Sequence, residues 1–376
     1  MLGRTIADRI KQHGSDYPFD HVRQTLQEAD VLFGVLDAPV VTRAEPNPNK
    51  PKDFPFIKCE AGAVDGLKRI PFDVVHIGTN HILDFGEGGL LDTQAALQER
   101  QLKYIGAGRN LAQARQAQVI ESRGKSIGFL GYCLSYPAEQ DKAGCAPMRV
   151  RVILDDIKNL RGKVDWLVVS IHHGIEYCHY PYPEYRHLVH QAIDQGADIV
   201  LGHHPHVLQG FEHYHEGVVV YSLGNFVFDQ DDKPEGGRDI SSIRRFLEKE
   251  QAIALPGGER FYQSIILKLT LENKEIKLDF LPIKINTEGQ PTLAAGKDKE
   301  EIQRFFTKIS HGLDDPKTSF AQPLSELYAQ ENVQILFKYN LKYLFQKCYR
   351  IRWRHIRQVL LYLNAKLINR HSRRQG

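Results

Sequence analysis

ADIVLGHHPHVLQGFEHYHEGVVVYSLGNFVFD, residues 197–229, decides how the chain is read. Its first five residues are an apolar, β-branched run entered from Gly196, the pattern of a strand buried on both faces of an α/β sheet. Gly202 ends the run, and His203, His204 and His206 follow at the carboxyl end of the strand, where open α/β sheets place their ligands. A second β-run, 218–223, leads to Gly224 and Asn225 and can return a polar group to the same edge. A histidine-rich surface loop would give the same local composition, but the pattern repeats. Residues 73–81 (DVVHIGTNH) and 165–176 (DWLVVSIHHGIE) are again apolar strands that end in histidine-bearing turns. Three such strand ends point to one metal centre, because neutral imidazoles and carboxylates are ligands for zinc, manganese or iron.

Around this centre the chain reads as βα units. Helices are expected over 1–12, 20–29, 61–68, 89–100, 149–160, 183–195 and 297–310. Strands are expected over 31–37, 73–78, 103–106, 125–132 and 166–171, and an antiparallel pair over 261–271 and 275–285. Residues 39–54, rich in Pro, Asn and Lys, read as a loop, and 230–258 as a mobile excursion.

With 376 residues, 42% of them hydrophobic, the chain can bury one large domain with an appendage. No run approaches the roughly 18 apolar residues of a membrane-spanning helix. The opening MLGRTIADRIKQHG is charged and has no apolar core, so no secretory signal is expected. The five cysteines lack a CxxC spacing and read as reduced thiols of a cytoplasmic protein. The net charge of +3 hides an asymmetry: residues 333–376 hold four Lys and seven Arg with no Asp or Glu, which leaves the rest at −8.

Several motifs, in order, resemble the CapA family of poly-gamma-glutamate capsule biosynthesis proteins, itself similar to calcineurin-like metallophosphoesterases. MLGR (1–4) is similar to that family's GDVMLGR, FGVLDAPV (33–40) to FGNLE-P, and GTNHILDFG (78–86) to NNH-x-x-D-x-G. SIHHGIEY (170–177) is similar to HWG-x-E-Y, and LGHHPHVLQG with YSLGNFVFD is nearly a full match. The resemblance spans residues 1–310 and implies a four-layer α/β sandwich of the metallophosphoesterase kind. It also implies a metal site formed by Asp37, Asn80, His172, His204 and His206. Asp37 stands where the family has Glu, and Val35 where it has Asn. The family's first Asp, from a Gly-Asp pair, has no counterpart; this implies either a misplaced start or a truncated protein, and weak metal loading. His173, His203, His213 and His215 are left out of the ligand set.

The residue types imply the chemistry. A pair of divalent metals can activate water and clamp a phosphoryl or carbonyl oxygen. His81 is then the general acid toward the leaving oxygen, with Asp84 to orient it; the alternative is that Asp84 caps the following helix. Arg4, Glu176 and Asn225 are expected on the substrate side, Glu176 also as a partner of His172. The expected activity is hydrolysis of a phosphoester or an amide-type polymer link in capsule or surface-polymer synthesis. The alternative is a non-catalytic component that binds polymer or other capsule-synthesis proteins.

After a linker at 311–319, residues 320–376 read as a basic amphipathic helical tail. Lys347, Arg350, Arg354 and Arg357 recur at helical spacing beside apolar Leu344, Ile351 and Val359. Such a tail suits the anionic inner face of a membrane. Docking on the acidic body is the competing reading, and nucleic acid is not an expected partner because no binding module is recognisable.

Overall fold

Alternation of side chains along each strand sorts the chain into layers. The computed structural model describes residues 1–50, 55–229 and 259–314. The expected excursion at 230–258 and the basic tail lie outside them.

Three short parallel strands, β1 (Phe33–Val35), β2 (Val74–His76) and β3 (Lys103–Ile105), form one sheet in the order β1-β2-β3. A six-stranded sheet contains β5 (Gln118–Ser122), β6 (Lys125–Cys133), β8 (Trp166–His172), β9 (Ile199–His203), β10 (Leu208–Tyr214) and β11 (Gly217–Leu223). Its order is β10-β11-β9-β8-β6-β5, with four parallel central strands and an antiparallel strand at each edge. A two-stranded ribbon joins β4 (Ala107–Gly108) to β7 (Gly144–Cys145).

On β8, Leu167, Val169 and Ile171 pack with Ile153 and Ile157 of α6 (Val150–Arg161) and with Leu188 and Val189 of α7 (Pro183–Asp194). Val168 faces the other way and meets Val74, Ile105, Phe129, Ile199 and Leu201 between the two sheets. The small sheet behaves alike: Val74 belongs to that central cluster, while Val75 packs outward. Its outer partners are Ile6 of α1 (Thr5–His13), Val64 and Leu67 of α3 (Ala63–Arg69), and Leu90 and Leu97 of α4 (Gly86–Glu99). Helices, sheet, sheet and helices therefore make the four α/β layers expected. Burying each large apolar side chain contributes about 1.5–3 kcal/mol, so these clusters hold the two sheets face to face.

Parity along the strands also places the site. Ser170 and His172 share the face of Val168, so they point between the sheets at the carboxyl edge.

A third, antiparallel sheet is built from β12 (Gln263–Glu272), β13 (Glu275–Ile285) and β14 (Pro291–Leu293), with α8 (Gly296–His311) against it. Short helices α2 (Arg23–Gln27) and α5 (Leu111–Ala114) complete the described elements.

Two differences from the sequence reading have clear causes. β5 and β10 are edge strands, and edge strands lack the two-sided apolar run by which the central ones are recognised. Residues 311–314, expected as linker, are part of the fold: Leu313 is buried beside Tyr180, and Arg186 binds the Leu313 carbonyl at 2.5 Å and Asp314 at 3.1 Å. The first compact unit runs from Met1 to Asp315.

Candidate metal and acid–base site

The carboxyl edges of both sheets meet over the inter-sheet face. From the large sheet, β8 ends at His172, and β9 ends at His203 just before His204 and His206. The small sheet supplies Asp37, two residues beyond β1, and Asn80 and His81 in the turn after β2.

His172 is the hub. Its Nε2 lies 2.9 Å from Asn80 Oδ1 and 3.8 Å from Asp37 Oδ1. The His172 and His204 rings are 5.1 Å apart between centroids, and those of His204 and His206 are 6.0 Å apart. All five residues of the implied ligand set therefore lie in one connected cluster.

The loop after β8 lies along the HHPH turn. His173 N–H donates to the His203 carbonyl at 2.9 Å and Tyr177 N–H to that of Pro205 at 2.7 Å. Only glycine fits at 174, where a Cβ would come within 2.7 Å of the Pro205 ring. Backbone strain collects here too: His204 has φ 101°, His206 φ 60° and Tyr177 φ 64°. Non-glycine residues in such conformations cost about 1–3 kcal/mol each and cluster at functional sites.

Asn225, expected on the substrate side, braces His206. Its Oδ1 lies 2.8 Å from His206 Nδ1, and its Nδ2 donates to the His206 and Phe261 carbonyls at 3.0 and 3.3 Å. The amide thus fixes His206 with Nδ1 protonated and leaves Nε2 without a proton, the form a metal ligand requires. Glu176, expected beside His172, approaches His204, Oε1 to Nε2 3.8 Å. Arg4 pairs with Asp229 at 3.3 Å, so its guanidinium is tied to the end of the LGNFVFD stretch.

Opposite the ligand cluster, His81 Nδ1 is 2.9 Å from Asp84 Oδ2. Asp84 is fully buried and caps no helix: α4 begins after Phe85 without a side-chain cap bond. Its other contacts are the Ile57 N–H at 2.9 Å and the ammonium of Lys50.

Burial lowers the pKa of His172 well below the usual imidazole range, against the pull of Asp37, and lowers that of His204 against Glu176. Burial opposes ionisation of Asp37, yet His172, His81, His206 and His204 hold its carboxyl below the ordinary value. His81 goes the other way: burial disfavours its charge, but the bond to Asp84 and the field of Asp37 raise its pKa.

These properties fit a divalent metal. Ligating imidazoles must be neutral and carboxylates ionised, and Asp37 Oδ1, His172 Nδ1 and His204 Nδ1 are buried with no hydrogen-bond partner among the described residues. Among those residues, no three or more His, Cys, Asp or Glu side chains are placed together closely enough to hold a metal ion as they stand.

Sequence reasoning passed over two buried groups. Lys50 is one. His76 is the other: its Nδ1 lies 2.7 Å from Ser170 Oγ, and burial lowers its pKa to about 3. The strand parity of β2 could have found His76, since it shares the face of Val74.

Comparison with known proteins supplies the family. The chain is 30% identical to the capsule biosynthesis protein CapA of Bacillus anthracis over 317 residues, covering 82% of this chain and 71% of that protein. It is 32% identical to the PGA biosynthesis protein CapA of Bacillus subtilis over 235 residues, 61% of each chain. Among solved structures, a hypothetical protein from Thermus thermophilus aligns with TM-score 0.43 and 17% identity, covering 72% of this chain and 94% of its own. Residues 1–230 match the profile of a family described as bacterial capsule synthesis protein PGA_cap. Matched over that span, the chain belongs to the PGA_cap family of bacterial capsule synthesis proteins.

Proposed function

We propose that the chain serves the synthesis of an anionic capsule or surface polymer, of the poly-gamma-glutamate kind, as a metal-dependent hydrolase of a phosphoester or amide-type link. The observation that carries this reading is the clustering of Asp37, Asn80, His172, His204 and His206, with buried, unpartnered ligand atoms on Asp37, His172 and His204, beside a His81 that Asp84 orients separately. Asp37, His172, His204 and His206, with Asn80, would hold divalent manganese, zinc or iron. When bound, such ions polarise a phosphoryl or carbonyl oxygen and make water a better nucleophile.

The chain's own residues do the rest. Asn225 orients His206, and Asp84 holds the Nδ1 side of His81, so that the protonated ring can give its Nε2 proton to the leaving oxygen and remain as the neutral Nδ1–H form. Full-length protein is loaded with Mn²⁺ or Zn²⁺, its metal content is measured, and it is assayed on bis(p-nitrophenyl) phosphate and on γ-linked glutamyl oligomers. Bound metal with turnover of either substrate is expected. Metal without turnover would leave polymer binding as the role.

No helix among the described residues is long and apolar enough to cross a membrane. We further propose that residues 333–376, with eleven positive charges and no negative ones, hold the protein to an anionic membrane face. Each basic residue near such a surface contributes about 1 kcal/mol, screened over a Debye length of about 8 Å at physiological salt. Full-length protein should sediment with anionic vesicles at low salt and be released as salt rises, whereas a chain ending at Asn332 should not bind. If neither binds, the tail serves the fold or a protein partner.

A further inference from the structure

Lys50 lies in a stretch whose Pro, Asn and Lys content reads as solvated loop, yet its side chain is only 5% exposed. The ammonium binds Asp84 Oδ1, donates to the Pro55 carbonyl at 2.5 Å, and lies 5.2 Å from the centroid of the Phe56 ring. A lysine is withdrawn from water to this degree only against a strong partner. Here the partner is a fully buried carboxylate whose second oxygen accepts from the Ile57 N–H and meets His81 Nδ1.

The backbone around Lys50 is fastened to the same turn. Asn47 N–H donates to the Asp84 carbonyl and Asn47 Nδ2 to that of Leu83, both at 2.9 Å, and Lys50 N–H donates to the Asn47 carbonyl at 3.1 Å. Asp84 is thereby held on both oxygens. Without the ammonium, the carboxylate would be free to rotate its two oxygens between the Ile57 N–H and the histidine, and the ring would lose its fixed acceptor.

We infer that Lys50 is a positioning residue for His81: by occupying Asp84 Oδ1 it directs Oδ2 to Nδ1 of the imidazole and reserves Nε2 for the leaving oxygen. The role assigned to Nε2 rests on the hydrolase reading proposed above, whereas the Lys50–Asp84–His81 order does not.

The test separates the two. In metal-free, full-length protein labelled with ¹⁵N-histidine, long-range ¹H–¹⁵N spectra report which ring nitrogen of His81 carries the proton, with His81→Asn giving the assignment. At a pH where the ring is neutral, wild type should show His81 in the single Nδ1–H form, the form left when the imidazolium has given up its Nε2 proton. Lys50→Met should convert it to a mixture of tautomers, and Lys50→Gln, which keeps a donor and serves if the Met variant does not fold, should do so in part.

On Mn²⁺-loaded protein, kcat for a phenyl phosphodiester, whose leaving group needs a proton, should fall about 10- to 100-fold in Lys50→Met, less than the about 10²- to 10⁴-fold that the general acid itself contributes. For the p-nitrophenyl ester, which needs little protonation, the loss should be several-fold smaller, with KM unchanged. A folded Lys50 variant that keeps the wild-type tautomer and the same leaving-group dependence would overturn the inference. Wild type that turns over neither ester nor γ-linked glutamyl oligomers would overturn the hydrolase reading, while the tautomer measurement still decides the role of Lys50.

Discussion

The two sheets bring their functional residues to the same edge by different means. The six-stranded sheet delivers His172 and the HHPH turn from strands of seven and five residues, held in parallel register by backbone bonds. The strands of the small sheet are three residues each, and its groups lie beyond them in turns. It holds those groups through side-chain hydrogen bonds instead: Lys50 and the Ile57 N–H on the Asp84 carboxylate, Asp84 on His81, and Asn80 on His172. A backbone ladder tolerates side-chain changes at other positions. A chain of buried polar contacts does not, because removing one member leaves the next unsatisfied.

The largest expected effect splits the two edges by function. On the proposed reading, His81→Asn should lower kcat on a phenyl phosphodiester about 10²- to 10⁴-fold with metal content unchanged. His172→Asn should instead weaken metal binding more than about 100-fold, above the range seen for outer partners of ligands. Metal titration by calorimetry alongside steady-state kinetics makes the distinction. If His81→Asn also loses metal, the division of labour between the sheets is wrong.

A smaller effect is expected one contact further out. Asn225→Ala frees His206 to rotate and to exchange tautomers, which should lower metal affinity about 10- to 100-fold. Thermal stability should change little by comparison, because Val207 and Leu208 remain buried behind the turn. An affinity equal to wild type would mean that Asn225 serves the Phe261 backbone and not the histidine.

How much of this was legible follows the same division. The Val- and Ile-rich runs of β8, β9 and β11 announce themselves locally, and each histidine's place follows from the strand that ends before it. The spacing of His81 and Asp84 is also local. Lys50 was not legible: its partner lies 34 residues away, and nothing in a Pro- and Asn-rich stretch distinguishes a buried lysine from a solvated one. The approach of Glu176 to His204 was not legible either, since the path of the loop depends on Gly174 passing over Pro205. β10 escaped notice because its outer half, Phe211–Tyr214, is only partly covered, so no apolar run marks its length.

The last prediction asks whether a charged staple matters for its position at the site or for stability alone. Glu212, on β10 of the large sheet, is held by Arg186, by Tyr221 and, at 2.7 Å, by His190, none of them a member of the Asp37–His172–His204–His206 cluster. Burial opposes its ionisation, but Arg186, Tyr221 and His190 together lower its pKa below the ordinary value. A carboxyl lowered in the folded state binds fewer protons there than in the unfolded chain. The stability it contributes is therefore complete above the unfolded glutamate pKa of about 4.3 and is lost as pH falls through the lower folded value. Glu212→Gln should cost about 1.5 kcal/mol at pH 7, the low end for hydrogen bonds to a charged group, because the network is partly solvated. The gap from wild type should close in acid, as denaturant titrations at pH 7 and below pH 4 can measure. His81 tautomer and metal affinity should be unchanged in this variant. If they shift as they should in Lys50→Met, both staples act through general loosening of the fold, and the assignment of Lys50 to the orientation of His81 falls.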